Sequence, residues 1–259
     1  MTAVTVIGLG EAGATYAAAL TAAGHEVTGF DPVAPSAPAG VTRAATAAEA
    51  CAGADIVLVL TGAAAARSVA SECLPVLETG TCYADFTSSS PGVMRELGQV
   101  PGKADFADVA ILGPVSALGE KTPLMVSGPG AEAVADLLGP LGVDIEIAEG
   151  EPGAAMAHKL LRSVLMKGLA SVVVEAVNAG KAAGLEEWIR AQIAGQLAGD
   201  GQAVIDRFLT GTVKHALRRS KEMQDTASYL ADLGVPSEMT TASATALSRM
   251  AGETALALR

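Results

Sequence analysis

Within its first thirteen residues the chain fixes one local structure. The β-branched run Val4-Thr5-Val6-Ile7 passes into Gly8-Leu9-Gly10-Glu11-Ala12-Gly13, and an Ala-rich helical stretch follows. Gly8 permits a tight turn, Gly10 lets the backbone approach a pyrophosphate, and Gly13 allows close helix–strand packing. The helix N-terminus adds unpaired N–H groups and the positive end of its dipole. A second strand closes at Asp31, 18 residues after Gly13. Strand, glycine turn, helix and acidic strand end together point to a dinucleotide. A carboxylate at Asp31 accepts hydrogen bonds from the adenosine ribose and repels a 2′-phosphate. Pro32 and Val33 follow, with no Arg nearby to hold that phosphate, so NAD is expected ahead of NADP. The alternative is that Asp31 only caps the turn into Pro32.

The same alternation continues to residue 150. Val4–Ile7, Glu26–Phe30, Asp55–Leu60, Thr81–Asp85, Asp105–Ile111 and Leu124–Val126 read as strands. Glu11–Ala23, Ala47–Ala52, Ala64–Leu77 and Ala131–Leu141 read as helices between them. This spacing predicts right-handed βαβ crossovers and a doubly wound, mostly parallel sheet. Beyond Glu149–Gly153 no strand pattern is left. A long helix is expected over Ala154–Ala183, with later breaks at Gly184, Gly199 and Gly201, Gly211, and Gly234 with Pro236. The expected organisation is an α/β Rossmann domain over residues 1–150 and an all-α domain over residues 151–259.

Composition narrows the function. Hydrophobic residues make up 50% of the chain and aromatics 3%, so Ala, Val, Leu and Ile must build the core. Small side chains bury little area each, and a large interface shared with a second subunit would compensate. The net charge of −11 argues against binding nucleic acid or an anionic membrane surface. The apolar N-terminus has no basic segment before it, and no run reaches the roughly 20 residues of a membrane span. Cys51, Cys73 and Cys82 lack metal-ligand or CxxC spacing and read as reduced core thiols, which suits a cytoplasmic protein. With three scattered His and three scattered Cys, no metal site is expected.

Further segments fall into register with one family. Gly8-Leu-Gly10-Glu-Ala-Gly13 is similar to GLGxMG, Asp85-Phe-Thr-Ser88-Ser-Ser-Pro91 to DxSTxxP, and Gly153-Ala-Ala-Met-Ala-His-Lys159 to GxGxxxK. Glu175-Ala-Val-Asn-Ala-Gly180 is similar to EAxxLG, and Lys221-Glu222 stands where a Lys-Asp pair is usual. Over nearly its whole length the chain resembles the β-hydroxyacid dehydrogenase/6-phosphogluconate dehydrogenase superfamily. The resemblance implies cofactor contacts from the glycine turn, from Leu60, Thr61 and Gly62, from Ser88 and from Lys221. It implies a catalytic lysine at Lys159, substrate contacts at Gly113 and Pro114, and a homodimer in which the long helix packs across subunits. Three departures stand out. Leu112 occupies the place of a substrate-binding Ser, Arg162-Ser163 replaces Asn-Asn, and Met166-Lys167 stands where 6-phosphogluconate dehydrogenases carry Glu. Activity on 6-phosphogluconate itself is therefore not expected. The Lys159-x-x-Arg162-Ser163 and His215-Ala-x-Arg218-Arg219 signatures are similar to those of a shorter branch of the family.

On a helix Lys159, Arg162, Ser163 and Met166 share one face. Alcohol oxidation needs a base for the hydroxyl proton and ketone reduction needs an acid. A lysine serves both when burial and a neighbouring cation lower its pKa, and Arg162 is the expected cation. Arg162 also suits an anionic substrate, and Ser163 could orient Lys159 or the substrate. The basic run through His215, Arg219 and Lys221 suits cofactor phosphates or a substrate carboxylate. The plainer readings are a snorkelling Lys159 and a solvated basic face. The expected function is an NAD(P)-dependent oxidoreductase acting on a small anionic hydroxy acid or its keto form. The alternatives are an imine reductase, which usually replaces the lysine, and a non-catalytic NAD-binding regulator.

Overall fold

The computed structural model describes residues 1–257. Its eight strands are β1 (Ala3–Ile7), β2 (Glu26–Phe30), β3 (Thr42–Arg43), β4 (Ile56–Val59), β5 (Cys82–Asp85), β6 (Asp105–Ile111), β7 (Leu124–Ser127) and β8 (Ile145–Ile147). They form one sheet in the order β3-β2-β1-β4-β5-β6-β7-β8. Every neighbouring pair is parallel except β6–β7, which are antiparallel. From β1 the chain moves to β2 on one side and returns to β4 on the other. That reversal opens a crevice at the carboxyl ends of β1 and β4, the place where such sheets bind ligands.

Helices α1 (Glu11–Ala22), α2 (Ala47–Cys51), α3 (Ala66–Cys73), α4 (Pro91–Gly98), α5 (Val115–Leu118) and α6 (Ala131–Leu138) accompany the sheet. Both faces are covered, which is why β4 reads as an unbroken apolar run instead of an alternating one. Val4 and Val6 point to one face with Tyr16 and Leu20 of α1 and Val134 and Leu138 of α6. Ile7, Val57, Val59 and Tyr83 point to the other with Ala70 and Cys73 of α3 and Met94 and Leu97 of α4. Cys51, Cys73 and Cys82 are free thiols buried in these layers.

Edge strands β3 and β8 and helices α4 and α5 are absent from the sequence reading. The two strands are only two and three residues long and partly exposed. The α4 helix was marked in the sequence by Ser90, whose hydroxyl accepts from the Val93 N–H at 3.3 Å, and by Pro91 in the first turn. The helix expected over Ala64–Leu77 is shorter, with a 3₁₀ turn on each side of α3.

The chain divides into two compact units, Met1–Arg162 and Ser163–Arg259. Helix α7 (Ala154–Ala182) begins in the first and continues into the second, running through Gly168 and Gly180 without a break. The second unit also holds α8 (Glu186–Leu197), α9 (Gly201–Lys214), α10 (Ala216–Asp232) and α11 (Glu238–Ala257). Gly180 stays a glycine because a Cβ would lie 2.5 Å from Ile189 of α8. The expected break at Gly211 falls inside α9, and the chain turns instead at His215. Glu175 of α7 caps α11, its carboxylate accepting from the N–H of Met239 at 2.7 Å and of Thr240 at 2.8 Å and from the Thr240 hydroxyl. Partial burial opposes ionisation of Glu175, yet those hydrogen bonds hold its pKa below the usual glutamate value. Among the described residues no helix is long and apolar enough to cross a membrane.

Candidate active site

The glycine turn sits at the carboxyl end of β1. Gly8 has φ of 94°, and a Cβ there would lie 2.6 Å from the Leu60 carbonyl oxygen. A Cβ on Gly13 would lie 1.8 Å from the Gly8 oxygen. These approaches draw α1 and the Leu60-Thr61 segment against the turn. At Gly10 and Gly62, by contrast, an added Cβ meets nothing within 4 Å. Gly10 precedes α1 with no side chain capping the helix, so its first N–H groups face an open cradle. That arrangement fits a dinucleotide pyrophosphate. Gly8 to Gly13 would hold the phosphates, with Leu60, Thr61 and Gly62 beside them.

Asp31 does more than the sequence suggested. One carboxylate oxygen accepts from the Leu9 N–H at 2.7 Å, and the other accepts from Val33 and Ala34 at 2.7 and 2.9 Å. Its partial burial works against ionisation, but these N–H groups and the Arg43 charge hold its pKa below the usual aspartate value. It both caps the turn through Pro32 and staples the glycine turn. Contrary to the expectation that no Arg stands near, Arg43 donates to the carbonyl oxygens of Asp31 and Ala34 at 2.9 and 2.8 Å. Pairing of β3 with β2 brings it there.

Two strands away, the end of β5 and the middle of β6 carry a polar cluster. Asp108, fully buried, accepts at one oxygen from the N–H groups of Gly153 and Met156 at 2.9 and 3.0 Å and from the Ser127 hydroxyl at 3.3 Å. Ser127 in turn accepts from the Ala155 N–H at 3.0 Å. The first turn of α7 is thus capped by two side chains of the sheet. Burial raises the Asp108 pKa, while these donors and the positive charge of Lys159 pull it down. Gly153 has φ of 103° and abuts α4, where a Cβ would lie 2.5 Å from the Pro91 oxygen. With the start of α7 fixed in this way, half-buried Lys159 donates from Nζ to the Ser88 hydroxyl at 2.8 Å. Among the described residues the buried Asp108 carboxyl is one that feels the Lys159 charge.

Asp85, at the end of β5, is also fully buried and accepts from the Thr87 N–H at 2.8 Å. Burial pushes its pKa up to about 6, with the Thr87 hydrogen bonds opposing and the charge of Asp108 adding to the rise. Neither Asp108 nor Asp85 was assigned a role from sequence. The available signal was an acidic residue inside the apolar strand Phe106–Ile111.

Other expected site residues are placed as follows. Gly113 packs 3.2 Å from Leu118 and Thr122, measured from an added Cβ, and Pro114 leads into α5. Leu112 lies against the apolar layer and offers no polar group. Arg162 is exposed and has no hydrogen bond or ion pair among the described residues. Ser163, His215, Arg219 and Lys221 belong to the second unit. There Ser163 is half-buried, His215 joins α9 to α10, Arg219 donates to the Thr212 hydroxyl at 2.9 Å and Lys221 is exposed. Arg218, from the same basic run, is paired with Glu222. A cavity of about 410 Å³ in the second unit, walled by apolar residues such as Trp188, Met223 and Tyr229, holds none of the expected site residues.

Residues 3–150 match the family model of the NAD binding domain of 6-phosphogluconate dehydrogenase, more than half of the chain. The chain belongs to that family. The match takes in the Gly8–Gly13 turn and Asp31 and gives the family member an NAD(P)-binding domain on an oxidoreductase scaffold. Residues 181–250 match a domain of unknown function, DUF1932. Solved structures similar to this family member include a conserved hypothetical protein from Sinorhizobium meliloti 1021, 28% identical, covering 96% of this chain and 88% of that one at a TM-score of 0.63. Another is the conserved protein MTH1747, of unknown function and described as structurally similar to 3-hydroxyacid dehydrogenases. It is 28% identical over 96% of each chain, with a TM-score of 0.65. Streptomyces aurantiacus imine reductase, 24% identical, shares the fold with a TM-score of 0.78, covering 95% of this chain and 93% of its own. No curated protein matches the chain in sequence.

Proposed function

We propose that the chain is a cytoplasmic NAD-dependent dehydrogenase or reductase acting on a small anionic hydroxy acid or its keto form, with Lys159 as general acid and base. The observation that supports it most is the Lys159–Ser88 hydrogen bond, which holds the amine at the carboxyl edge of the same sheet that carries the glycine turn. When bound, the nicotinamide supplies or accepts the hydride. Lys159 moves the matching proton: the amine takes it from a hydroxyl during oxidation, and the ammonium returns it to a carbonyl oxygen during reduction. Ser88 orients the amine. Arg162, exposed one helical turn beyond Lys159, suits a substrate carboxylate. Asp31 supports NAD ahead of NADP because a phosphate near its carboxylate is repelled.

A homodimer accompanies this reading. Helix α7 exposes Leu161, Val164 and Leu165 at 72%, 76% and 65%, a run of apolar surface that a second subunit would cover. Sedimentation at micromolar concentration tests it, and a monomer there would refute it.

The functional test is a substrate screen followed by NADH absorbance in both directions, covering 2- and 3-hydroxy acids, their keto forms and cyclic imines. Turnover of a hydroxy or keto acid that falls away in Lys159→Ala is the expected result. Turnover confined to cyclic imines would assign the scaffold to imine reduction instead.

A further inference from the structure

We propose that Asp85 and Asp108 hold one proton between them and act as positioning residues that fix the charge and placement of Lys159. The proposal rests on the reading of Lys159 as the acid–base group, but the shared proton itself does not.

Asp85 and Asp108 are direct partners in the parallel register of β5 and β6, so both side chains leave the sheet on one face. Both residues are fully buried. Each carboxyl has one oxygen engaged and one buried oxygen without a partner, Oδ2 of Asp85 and Oδ1 of Asp108. Parallel neighbours stand about 5 Å apart. Two full negative charges at that spacing, away from water, repel strongly, and two orphaned acceptors add the cost of unmade hydrogen bonds. A single proton relieves both. It removes one of the two charges and turns one orphaned acceptor into a hydroxyl.

The surroundings decide which residue keeps the charge. Asp108 receives three donors on its engaged oxygen and feels the Lys159 charge. Asp85 receives only Thr87. Asp108 is therefore the carboxylate and Asp85 the acid. The groups facing Asp85 are Asp108 on β6 and Tyr83 on its own strand, with Lys159 of α7 acting through Asp108 and the thiols of Cys51 and Cys73 lying beyond Tyr83. Below the midpoint of Asp85, near pH 6, the pair carries one buried negative charge. Above it a second charge appears, and the ammonium is held more firmly.

Infrared difference spectroscopy of the whole protein, without substrate, reads the shared proton. A carbonyl stretch of a protonated, buried carboxylic acid is expected as pH falls through about 6, and Asp85→Asn should abolish it. Absence of that band in wild type, or its persistence in Asp85→Asn, overturns the proton sharing whatever reaction the protein catalyses. For the effect on Lys159, NMR of isotopically methylated lysines, assigned with Lys159→Arg, reads its protonation directly. In Asp108→Asn, whose amide oxygen can still accept from Gly153 and Met156, Lys159 should lose its proton at lower pH. In Asp85→Asn the inflection near pH 6 in the Lys159 signal should vanish. A Lys159 titration unchanged in Asp85→Asn overturns the positioning role, even if Asp108→Asn fails to fold.

Discussion

Gly153 touches Pro91 so closely that a single added methyl would lie 2.5 Å from the proline's carbonyl oxygen. This contact sets where α7 starts and therefore where Lys159, six residues on, delivers its amine. The backbone at Gly153 also has φ of 103°, a region that side-chain-bearing residues avoid.

Gly153→Ala should therefore cost stability by roughly 1–3 kcal/mol through backbone strain alone, more if α4 cannot shift. Its turnover should fall further than its stability loss explains, because the Lys159–Ser88 contact depends on that helix start. Chemical denaturation and steady-state kinetics on the same preparation separate the two effects. Wild-type kinetics in a destabilised Gly153→Ala would mean that the start of α7 does not position the amine.

Asp31 joins the glycine turn to the end of β2 through three backbone N–H groups, and in the proposed reading its charge acts on the adenosine ribose. Asp31→Asn should weaken NADH binding and narrow the preference for NADH over NADPH by roughly tenfold, about 1.4 kcal/mol, as the carboxylate's repulsion is lost. Fluorescence titration with each cofactor measures this without any substrate. A wild type that binds NADPH more tightly would place the discrimination elsewhere, with Arg43 the first residue to replace.

Burial of Asp85 has a consequence for stability with a definite sign. Its folded pKa of about 6 lies above the ordinary 3.8. Between those values the folded state binds more protons than the unfolded one, so this residue's contribution falls as pH rises from 4 to 6 and is lowest above 6. The full difference is about 3 kcal/mol, given 1.36 kcal/mol for each pH unit. Asp85→Asn should accordingly be more stable than wild type at pH 8, with the advantage shrinking toward pH 4. Urea denaturation at the two pH values measures it, and an advantage independent of pH would contradict the assignment.

Glu175 caps α11 with three hydrogen bonds inside the second unit. Glu175→Ala should cost about 1–2 kcal/mol, the usual worth of a lost cap. Because the folded pKa is depressed, the stabilisation is present above the unfolded glutamate value and is lost as pH falls through the folded one. Thermal unfolding of wild type and variant should show a larger difference at pH 7 than at pH 3.

Much of this arrangement was legible in the sequence because it rests on local periodicity and on glycines with one possible use. The β1–Gly8–Gly13–α1 unit, the parallel strands and α7 follow from patterns a few residues long. The position of Lys159 on α7 follows in the same way. What was hidden depends on partners distant in sequence. Arg43 reaches Asp31 only because a two-residue edge strand pairs with β2, and nothing in Thr42-Arg43 announces a strand. Asp108 caps a helix that starts 46 residues later, so its acidity inside an apolar strand could be noticed but not explained. The expectation that Arg162 supplies the neighbouring charge came from spacing along one helix. Such spacing says nothing of Asp108, which lies on the sheet and feels the Lys159 charge.

The role of Lys159 meets its most direct test in single-turnover kinetics of Lys159→Ala beside wild type, on whichever acid the screen identifies, with NADH binding measured in parallel. Hydride transfer should slow by about 10²–10⁴, the usual worth of general acid–base catalysis, while NADH affinity stays within a few-fold. A variant that transfers hydride at the wild-type rate would remove Lys159 from the chemistry.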